Sequence, residues 1–148
     1  VVDGVNGENW DAGTGLAYGT FENFELTVRV RIQNAYGWGA IEFNKSSPSV
    51  NHQQSALTLM LTTGGGSLYL GNDVTQPNTS VGTVYDDEGF MTVTLRVENG
   101  VITFDLGANS VSVAISDLAR NNNLTSGFIS FNAGCNRVYF DDLKITLL

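Results

Sequence analysis

The sequence predicts an all-β protein: an antiparallel β-sandwich of two sheets, of the jelly-roll type, in one domain that covers residues 1–148. Three observations lead to this prediction. Apolar and polar residues alternate along many short segments, glycine-rich turns separate these segments, and about nine or ten of them fit into the chain. A chain of 148 residues is also long enough to bury one sizeable core.

The first half of the chain supplies four predicted strands. The clearest is "FELTVRVRI", residues 24–32, in which every second residue is apolar and the residues between are Glu, Thr or Arg. The next three are "GAIEFNK", "SALTLMLTTG" and "SLYLGN". The glycine triplet Gly64 to Gly66 is expected to form the hairpin turn between the last two of these strands. Tyr69 lies between two leucines, so alternation turns it outward.

The second half of the chain repeats this pattern. The segment "MTVTLRVENGVITFDL" is predicted to be a hairpin that turns at Asn99-Gly100, because this dipeptide accepts the positive φ angles of a tight turn. "SVSVAI" supplies one further strand, and "GFISFNAGCNRVYFDDLKITLL" supplies the last two. The segment "SDLARNNN" is expected to form a short helix or an irregular turn, with Ser116 as the N-cap.

The composition argues against several classes of function. With a net charge of −8 and seven Lys and Arg residues, the chain would repel nucleic acid and acidic membranes, and a neutral ligand is favoured. No apolar run approaches the roughly 18–20 residues that span a bilayer. The single Cys135 precludes an internal disulfide. Because His52 is the single histidine, the chain has few side chains that could bind a transition metal or act with a catalytic nucleophile.

The strongest candidate for a ligand site begins in "NAYGWGAIEFNKS", where two large aromatics, Tyr36 and Trp38, stand among small residues. If the apolar residues of this strand point inward, Trp38, Glu42 and Asn44 share the outward face. Aromatic rings stack on the C–H faces of sugar rings, and polar side chains bond to the hydroxyl groups, so this face is predicted to bind carbohydrate. The alternative is that Trp38 folds back over a sheet edge and belongs to the core.

Other side chains are weaker candidates for the same site. Tyr69 points outward by alternation, and Tyr85 ends a long polar loop that could wall a groove. Trp10 either contacts the ligand or covers one end of the sandwich. Three arginines fall on outward strand positions: Arg29, Arg31 and Arg96. They either bind sugar hydroxyls or form cross-strand pairs with Glu25, Glu42 or Glu98.

Catalysis is not expected. Glycoside hydrolysis needs two carboxylates about 5–10 Å apart. Glu42 is the one carboxylate that lies clearly in the middle of a strand on the predicted ligand face. The polar loop around His52 contains no serine-nucleophile motif, so a catalytic triad has little support.

A structural calcium ion is a separate hypothesis. Asp141 and Asp142 are adjacent on the last predicted strand, so alternation turns one of them inward or toward an edge. Calcium bound by Asp142 together with Asp3 or Asn6 would supply the counter-charge. The alternative is an edge-facing carboxylate that accepts hydrogen bonds from backbone N–H groups.

Nearly the whole chain resembles the concanavalin A-like or laminin-G-like sandwich domains, through "GTFENFELTVRVRI", "GWGAIEFNK", "FMTVTLRVENGVITFDLG" and "GFISFNAGCNRVYFDDLKI". Many such domains are non-catalytic carbohydrate-binding modules of bacterial glycoside hydrolases, and within that class the chain resembles a xylan-binding module of a xylanase. The resemblance implies that Glu42 and Asn44 are polar ligand contacts. Related sugar-cleaving domains often have Arg at the position of Asn44, which counts further against catalysis.

The resemblance also implies a function. A monomeric module, tethered to a catalytic domain outside the cell, would bind plant cell-wall polysaccharide, with xylan as the first choice. The start of the sequence lacks signal-peptide features, which fits either a cytoplasmic protein or a mature or excised domain. Two alternatives stay open: a lectin-like adhesion domain for a protein or an animal glycan, and a small glycosidase or lyase of the same fold.

Overall fold

The computed structural model describes residues 1–4, 13–15, 19–48, 57–70, 73–74, 79–118 and 124–148, with the backbone only for 13–15 and 73–74. These residues form a β-sandwich of two antiparallel sheets, which confirms the predicted fold class. Within them the predicted short helix is a single 3-10 turn, Ile115–Asp117. A membrane-spanning helix, which would need a long apolar stretch, does not occur in this described part of the chain.

The two sheets have the following strand orders. The first sheet contains, from edge to edge, β1 (Val2–Asp3), β13 (Arg137–Leu147), β3 (Phe24–Ile32), β9 (Met91–Glu98), β10 (Val101–Asp105) and β11 (Ser110–Ala114). The second sheet contains β2 (Gly13–Gly15), β12 (Phe128–Gly134), β4 (Trp38–Lys45), β5 (Leu57–Thr62), β6 (Gly65–Leu70) and β7 (Asp73–Val74), and β8 (Ser80–Gly82) also pairs with β6.

The core lies between the sheets and contains the predicted inward side chains. Along β3 every second residue is fully or nearly fully buried, as the alternation predicts. Phe24 of the first sheet packs edge-on against Phe43 of the second, with ring centroids 6.4 Å apart. Each large apolar side chain buried in this way stabilises the fold by about 1.5–3 kcal/mol. This packing holds the two sheets together, with their outer faces pointing away from each other.

The hairpin turns follow the sequence signals with one difference. Asn99 and Gly100 have φ angles of 50° and 76°, so the predicted tight turn between β9 and β10 is confirmed. The turn between β5 and β6 is Thr63-Gly64, whereas Gly65 and Gly66 already belong to β6. A Cβ at Gly66 would lie 3.2 Å from the Leu106 side chain, so this glycine allows close packing of the strand rather than a turn.

A β-bulge in β4 changes the expected side-chain alternation. Glu42 pairs with Ser130, and Lys45 pairs with Phe128. Between these two pairs the chain advances by three residues in β4 but by two residues in β12. Asn44 has a φ angle of 52°, and its amide donates to the Leu124 carbonyl oxygen at 2.5 Å. The prediction that Asn44 lies beside Glu42 is therefore wrong, because the extra residue brings Lys45 to that position instead.

A second bulge, in β13, changes the expectation for the adjacent aspartates. Asp141 pairs with Arg29 and Lys144 with Thr27, and Asp142 has a φ angle of 51°. Both aspartates are exposed. The prediction of an inward carboxylate is therefore wrong, because strict alternation does not continue across a bulge. Asp141 Oδ1 instead accepts a hydrogen bond from the Asp142 backbone N–H at 3.0 Å, as the alternative to calcium predicts. The Arg29 guanidinium lies 3.8 Å from Asp141 and 3.6 Å from Asp142.

Candidate functional site

One face of the second sheet brings together the strongest of the predicted site residues. The strand register places on this outer face Trp38, Ala40 and Glu42 of β4, Thr58, Met60 and Thr62 of β5, Ser67 and Tyr69 of β6, and Ser130 and Asn132 of β12. Side chains that are paired across antiparallel strands lie on the same side of a sheet. The predicted outward positions of Trp38, Glu42 and Tyr69 are therefore confirmed.

Trp38 lies at one end of this outer face. It pairs with Gly134 of β12, and a Cβ added at Gly134 would collide with the indole ring. The ring therefore occupies the space that the missing side chain leaves free. Trp38 is partly exposed and is not among the residues of the sandwich core, so the alternative core assignment is wrong.

A buried polar cluster occupies the β4–β12 side of the outer face. It consists of Glu42, Lys45, Ser130 and Asn132. The Lys45 ammonium group and the Ser130 hydroxyl each donate to Glu42 Oε2 at 2.5 Å, and the Asn132 amide donates to Oε1 at 2.5 Å. Lys45 also donates to Ser130 Oγ at 2.7 Å. Buried charges are tolerated only when they are paired and hydrogen-bonded, and this cluster satisfies both conditions.

The burial of Glu42 changes its expected role. Its side chain is 0% exposed and that of Lys45 is 2% exposed. The carboxylate was predicted to contact ligand directly, but the structure holds it beneath the accessible surface with three protein donors. Alternation along the sequence did place Glu42 on the correct face. Lys45 was missed, because the bulge that turns it toward Glu42 has no clear sequence signature.

Within the described part of the chain, two buried polar atoms on the same face have no hydrogen-bond partner. They are the hydroxyl oxygen of Thr58 and the carbonyl oxygen of the Asn132 side chain. Thr58 pairs with Glu42 on one side and Tyr69 on the other, so it lies between the buried cluster and an aromatic residue. An unpaired buried polar group is costly, and in native proteins it often indicates a missing water or ligand.

A groove of about 220 Å³ runs over the β5–β6 side of the face. It is lined by Met60, Thr62, Gly64, Gly65, Gly66, Ser67, Tyr69, Ser80 and Val81. The hydroxyl groups of Ser67 and Ser80 are hydrogen-bonded at 3.0 Å, and Tyr69 is partly exposed. Apart from Tyr69, sequence reasoning missed these residues, because the pairing of β8 with β6 has no local signal.

The three candidate arginines lie on the outer face of the first sheet, on the opposite side of the sandwich. Arg96 pairs with Glu25 at 2.9 Å and with Glu98 at 2.8 Å, which confirms the cross-strand interpretation for this residue. The Arg31 guanidinium lies 4.6 Å from the ring centroid of Tyr139 and 5.0 Å from that of Phe90. These side chains cannot share one ligand site with Trp38.

Arg29 is held by an acidic turn. It donates to Asp86 at 2.8 Å and to Glu88 at 3.0 Å. These hydrogen bonds raise the pKa of Arg29 further above its ordinary value. The same Arg29 contact, followed by the hydrogen bond from the Phe90 backbone N–H, lowers the pKa of Asp86 below its ordinary value. Arg29 therefore connects β3 to this turn through two hydrogen bonds.

The remaining aromatic candidates are not part of the strands of the outer face. Tyr36 is 93% exposed in the turn before β4, where its backbone N–H donates to Asn34 Oδ1 at 3.0 Å. The Tyr85 hydroxyl donates to the Thr63 carbonyl oxygen, and burial raises the pKa of Tyr85. Tyr85 also lines a second groove of about 260 Å³.

The two proposed calcium ligands do not converge. Asp3 is paired with Arg137 at 2.7 Å, at the start of β13. Asp142 lies five residues further along that strand, which corresponds to roughly 16 Å. The prediction that Asp3 and Asp142 bind one calcium ion together is therefore wrong. The described residues contain no group of three His, Cys, Asp or Glu side chains that could hold a metal ion. The candidates Asn6, Trp10 and His52 lie outside the described residues.

Comparison with known proteins identifies solved structures of similar fold. No protein-family profile matches the chain, and no curated protein gives a significant match to it. The chain is similar to the solved structure of the carbohydrate binding module CBM66 from Bacillus subtilis, with a TM-score of 0.64 and 12% identity over 86% of this chain and 77% of that one. It is also similar to chicken galectin 2, with a TM-score of 0.55 and 9% identity over 90% of this chain and 97% of that one.

An enzyme shares the same architecture. The family 7 alginate lyase A1-II′, solved with a product, matches with a TM-score of 0.54 and 8% identity over 90% of this chain and 66% of that one. At these identities the likeness shows a common fold alone. Because the fold is shared by a binding module, a galectin and a lyase, function must be argued from the side chains of this chain.

Proposed function

We propose that this chain is a non-catalytic carbohydrate-binding module whose ligand lies on the outer face of the second sheet. The observation that carries the proposal is that Trp38 and Tyr69, both partly exposed, share a sheet face with the accessible hydroxyl groups of Thr62, Ser67 and Ser80. Aromatic side chains supply flat apolar contact, and polar groups between them bond to hydroxyl groups. The likeness to a carbohydrate-binding module and to a galectin supports the same conclusion.

The proposed ligand is a neutral β-1,4-linked plant cell-wall polysaccharide, with xylan as the first choice. The accessible polar side chains beside the aromatic residues are the neutral hydroxyl groups of Thr62, Ser67 and Ser80, which can both donate to and accept from sugar hydroxyls. Among the described residues, the outer face offers a uronate carboxylate no accessible cation, because Lys45 is 2% exposed and paired with Glu42, and the net charge of the chain is −8. We further propose that the module is secreted and tethers an attached glycoside hydrolase to its substrate.

The absence of catalysis is part of this proposal. Glu42 is the one carboxylate on the outer face among the residues that the structure describes, and three protein donors hold it. The glycosidases that use two carboxylates place them about 5–9.5 Å apart across the scissile bond. A buried, fully engaged carboxylate without such a partner suits a structural role.

The test is affinity electrophoresis against a panel of soluble neutral and acidic polysaccharides, with animal glycans included. Trp38→Ala should abolish the retardation that the wild type shows, with little change in the unfolding temperature. Tyr139→Ala is the matched control, because it removes a partly exposed aromatic side chain from the outer face of the first sheet. Absence of binding to every polysaccharide would refute the proposal, and retention by animal glycans alone would favour the adhesion domain.

The dependence of affinity on ionic strength distinguishes binding of a neutral polysaccharide from electrostatic binding of an acidic one. Binding through stacking and neutral hydrogen bonds should change little between low and high salt, because screening acts mainly on exposed charges. Oligogalacturonide binding that collapses in salt, without any xylo-oligosaccharide binding, would instead assign the ligand to the arginine face of the first sheet. Titration of both oligosaccharides at two salt concentrations decides between them.

A further inference from the structure

Three partly exposed side chains lie on one diagonal of the outer face. They are Trp38 on β4, Met60 on β5 and Tyr69 on β6. Ala40 pairs with Met60 and Thr58 pairs with Tyr69, so each step along the diagonal crosses one strand and advances two residues. Two strand spacings and four residues together separate the Cα atoms of Trp38 and Tyr69 by roughly 16 Å.

In the other directions across the face, the neighbours of Met60 have no large apolar side chain on which a sugar ring could stack. The opposite diagonal runs from Glu42, which is fully buried, to Gly65, which has no side chain. The row across the strands joins Ala40 to Ser67, and the direction along β5 joins Thr58 to Thr62. These residues are small or polar. The diagonal is thus the one line through Met60 that carries large, partly exposed apolar side chains at both ends.

We propose that the module binds an internal segment of its polysaccharide, laid across three strands along the diagonal from Trp38 through Met60 to Tyr69. This inference rests on the proposed function and adds the binding mode. A chain end would need an enclosed pocket for its terminal residue. The two terminal side chains of the diagonal are instead separated by a length that one sugar ring cannot bridge, and the groove beside them is open to solvent.

Accessible hydroxyl groups lie along one side of this line. Thr62, Ser67 and Ser80 line the groove there, whereas Thr58 and Asn132, on the side of the buried cluster, are themselves buried. A sugar chain on the diagonal would therefore place its ring faces on apolar side chains and one of its hydroxyl edges toward these hydroxyl groups. Met60 becomes a ligand contact, which alternation alone does not indicate.

The test is a length series measured by isothermal titration calorimetry. The probes are oligomers of two to six sugars cut from the polysaccharide that the panel identifies, beginning with xylo-oligosaccharides. Affinity should rise until the oligomer spans both Trp38 and Tyr69 and should then stay constant. Blocking both ends of a hexamer should change its affinity less than twofold. Full affinity for a disaccharide, or loss of binding after end blocking, would overturn the inference in favour of chain-end binding.

Substitutions along the line provide an independent readout. Tyr69→Ala and Met60→Ala should each weaken binding of the hexamer about tenfold or more, as for central contacts in an interface. For the disaccharide, which reaches one end of the diagonal, Trp38→Ala and Tyr69→Ala should not both weaken binding. Tyr139→Ala, on the outer face of the first sheet, is the control and should leave both affinities unchanged. Equal losses for long and short oligomers in every variant would refute the diagonal. Binding of polysaccharide by the wild type would then still support the proposed function.

Discussion

Removal of the Lys45 ammonium group should destabilise the protein strongly. Lys45 and Glu42 form a pair at 2.5 Å in which neither side chain is more than 2% exposed. Lys45→Met keeps most of the apolar stem and leaves Glu42 as an uncompensated buried charge, which typically costs about 3–5 kcal/mol. In a domain of this size that corresponds to a fall in unfolding temperature of about 6–20 °C.

The matched control is Arg96→Met, which breaks pairs of the same chemistry at the surface. The Arg96 side chain is 39% exposed, and exposed pairs typically contribute about 0.2–1 kcal/mol each. Thermal unfolding followed by circular dichroism should therefore show a much smaller shift for this variant. A further variant, Lys45→Met with Glu42→Gln, removes both charges and should recover part of the loss.

The size of the loss decides the assignment. A fall in unfolding temperature for Lys45→Met that is no larger than that for Arg96→Met would refute the assignment of a buried ion pair.

Three other predictions follow from the described contacts. Thr58→Val removes a buried hydroxyl that has no hydrogen-bond partner among the described residues, so it should raise the free energy of unfolding by about 1 kcal/mol, whereas a loss of stability would show that the hydroxyl is hydrogen-bonded. Because the pKa of Asp86 is lowered, its contribution to stability is present above the ordinary aspartate pKa and is lost as pH falls through the lowered value. The difference in melting temperature between wild type and Asp86→Asn should therefore narrow in acid. No reducing ends should appear when the protein is incubated with a polysaccharide that it binds; release that Glu42→Gln abolishes would show catalysis.

The sequence by itself determined the fold class and most of the core. Along β3, β9 and β10 the apolar residues recur at every second position, and a strand places such residues on one side of a sheet whatever its neighbours are. Asn99-Gly100 likewise determined its turn, because few other dipeptides accept positive φ at both positions. The outward positions of Trp38 and Tyr69 follow from the same local rule.

The tertiary structure decided how these outward residues are grouped. Alternation distinguishes the inside of a sandwich from the outside, but it does not say which of the two sheets a strand joins. Arg96 and Trp38 are both outward, yet they lie on opposite sides of the molecule. The bulge at Asn44 depends on pairing with a strand more than eighty residues away, and it brings Lys45 rather than Asn44 to Glu42. Strand pairing and burial are properties of the assembled sheets, so the composition of the site became visible only in the folded chain.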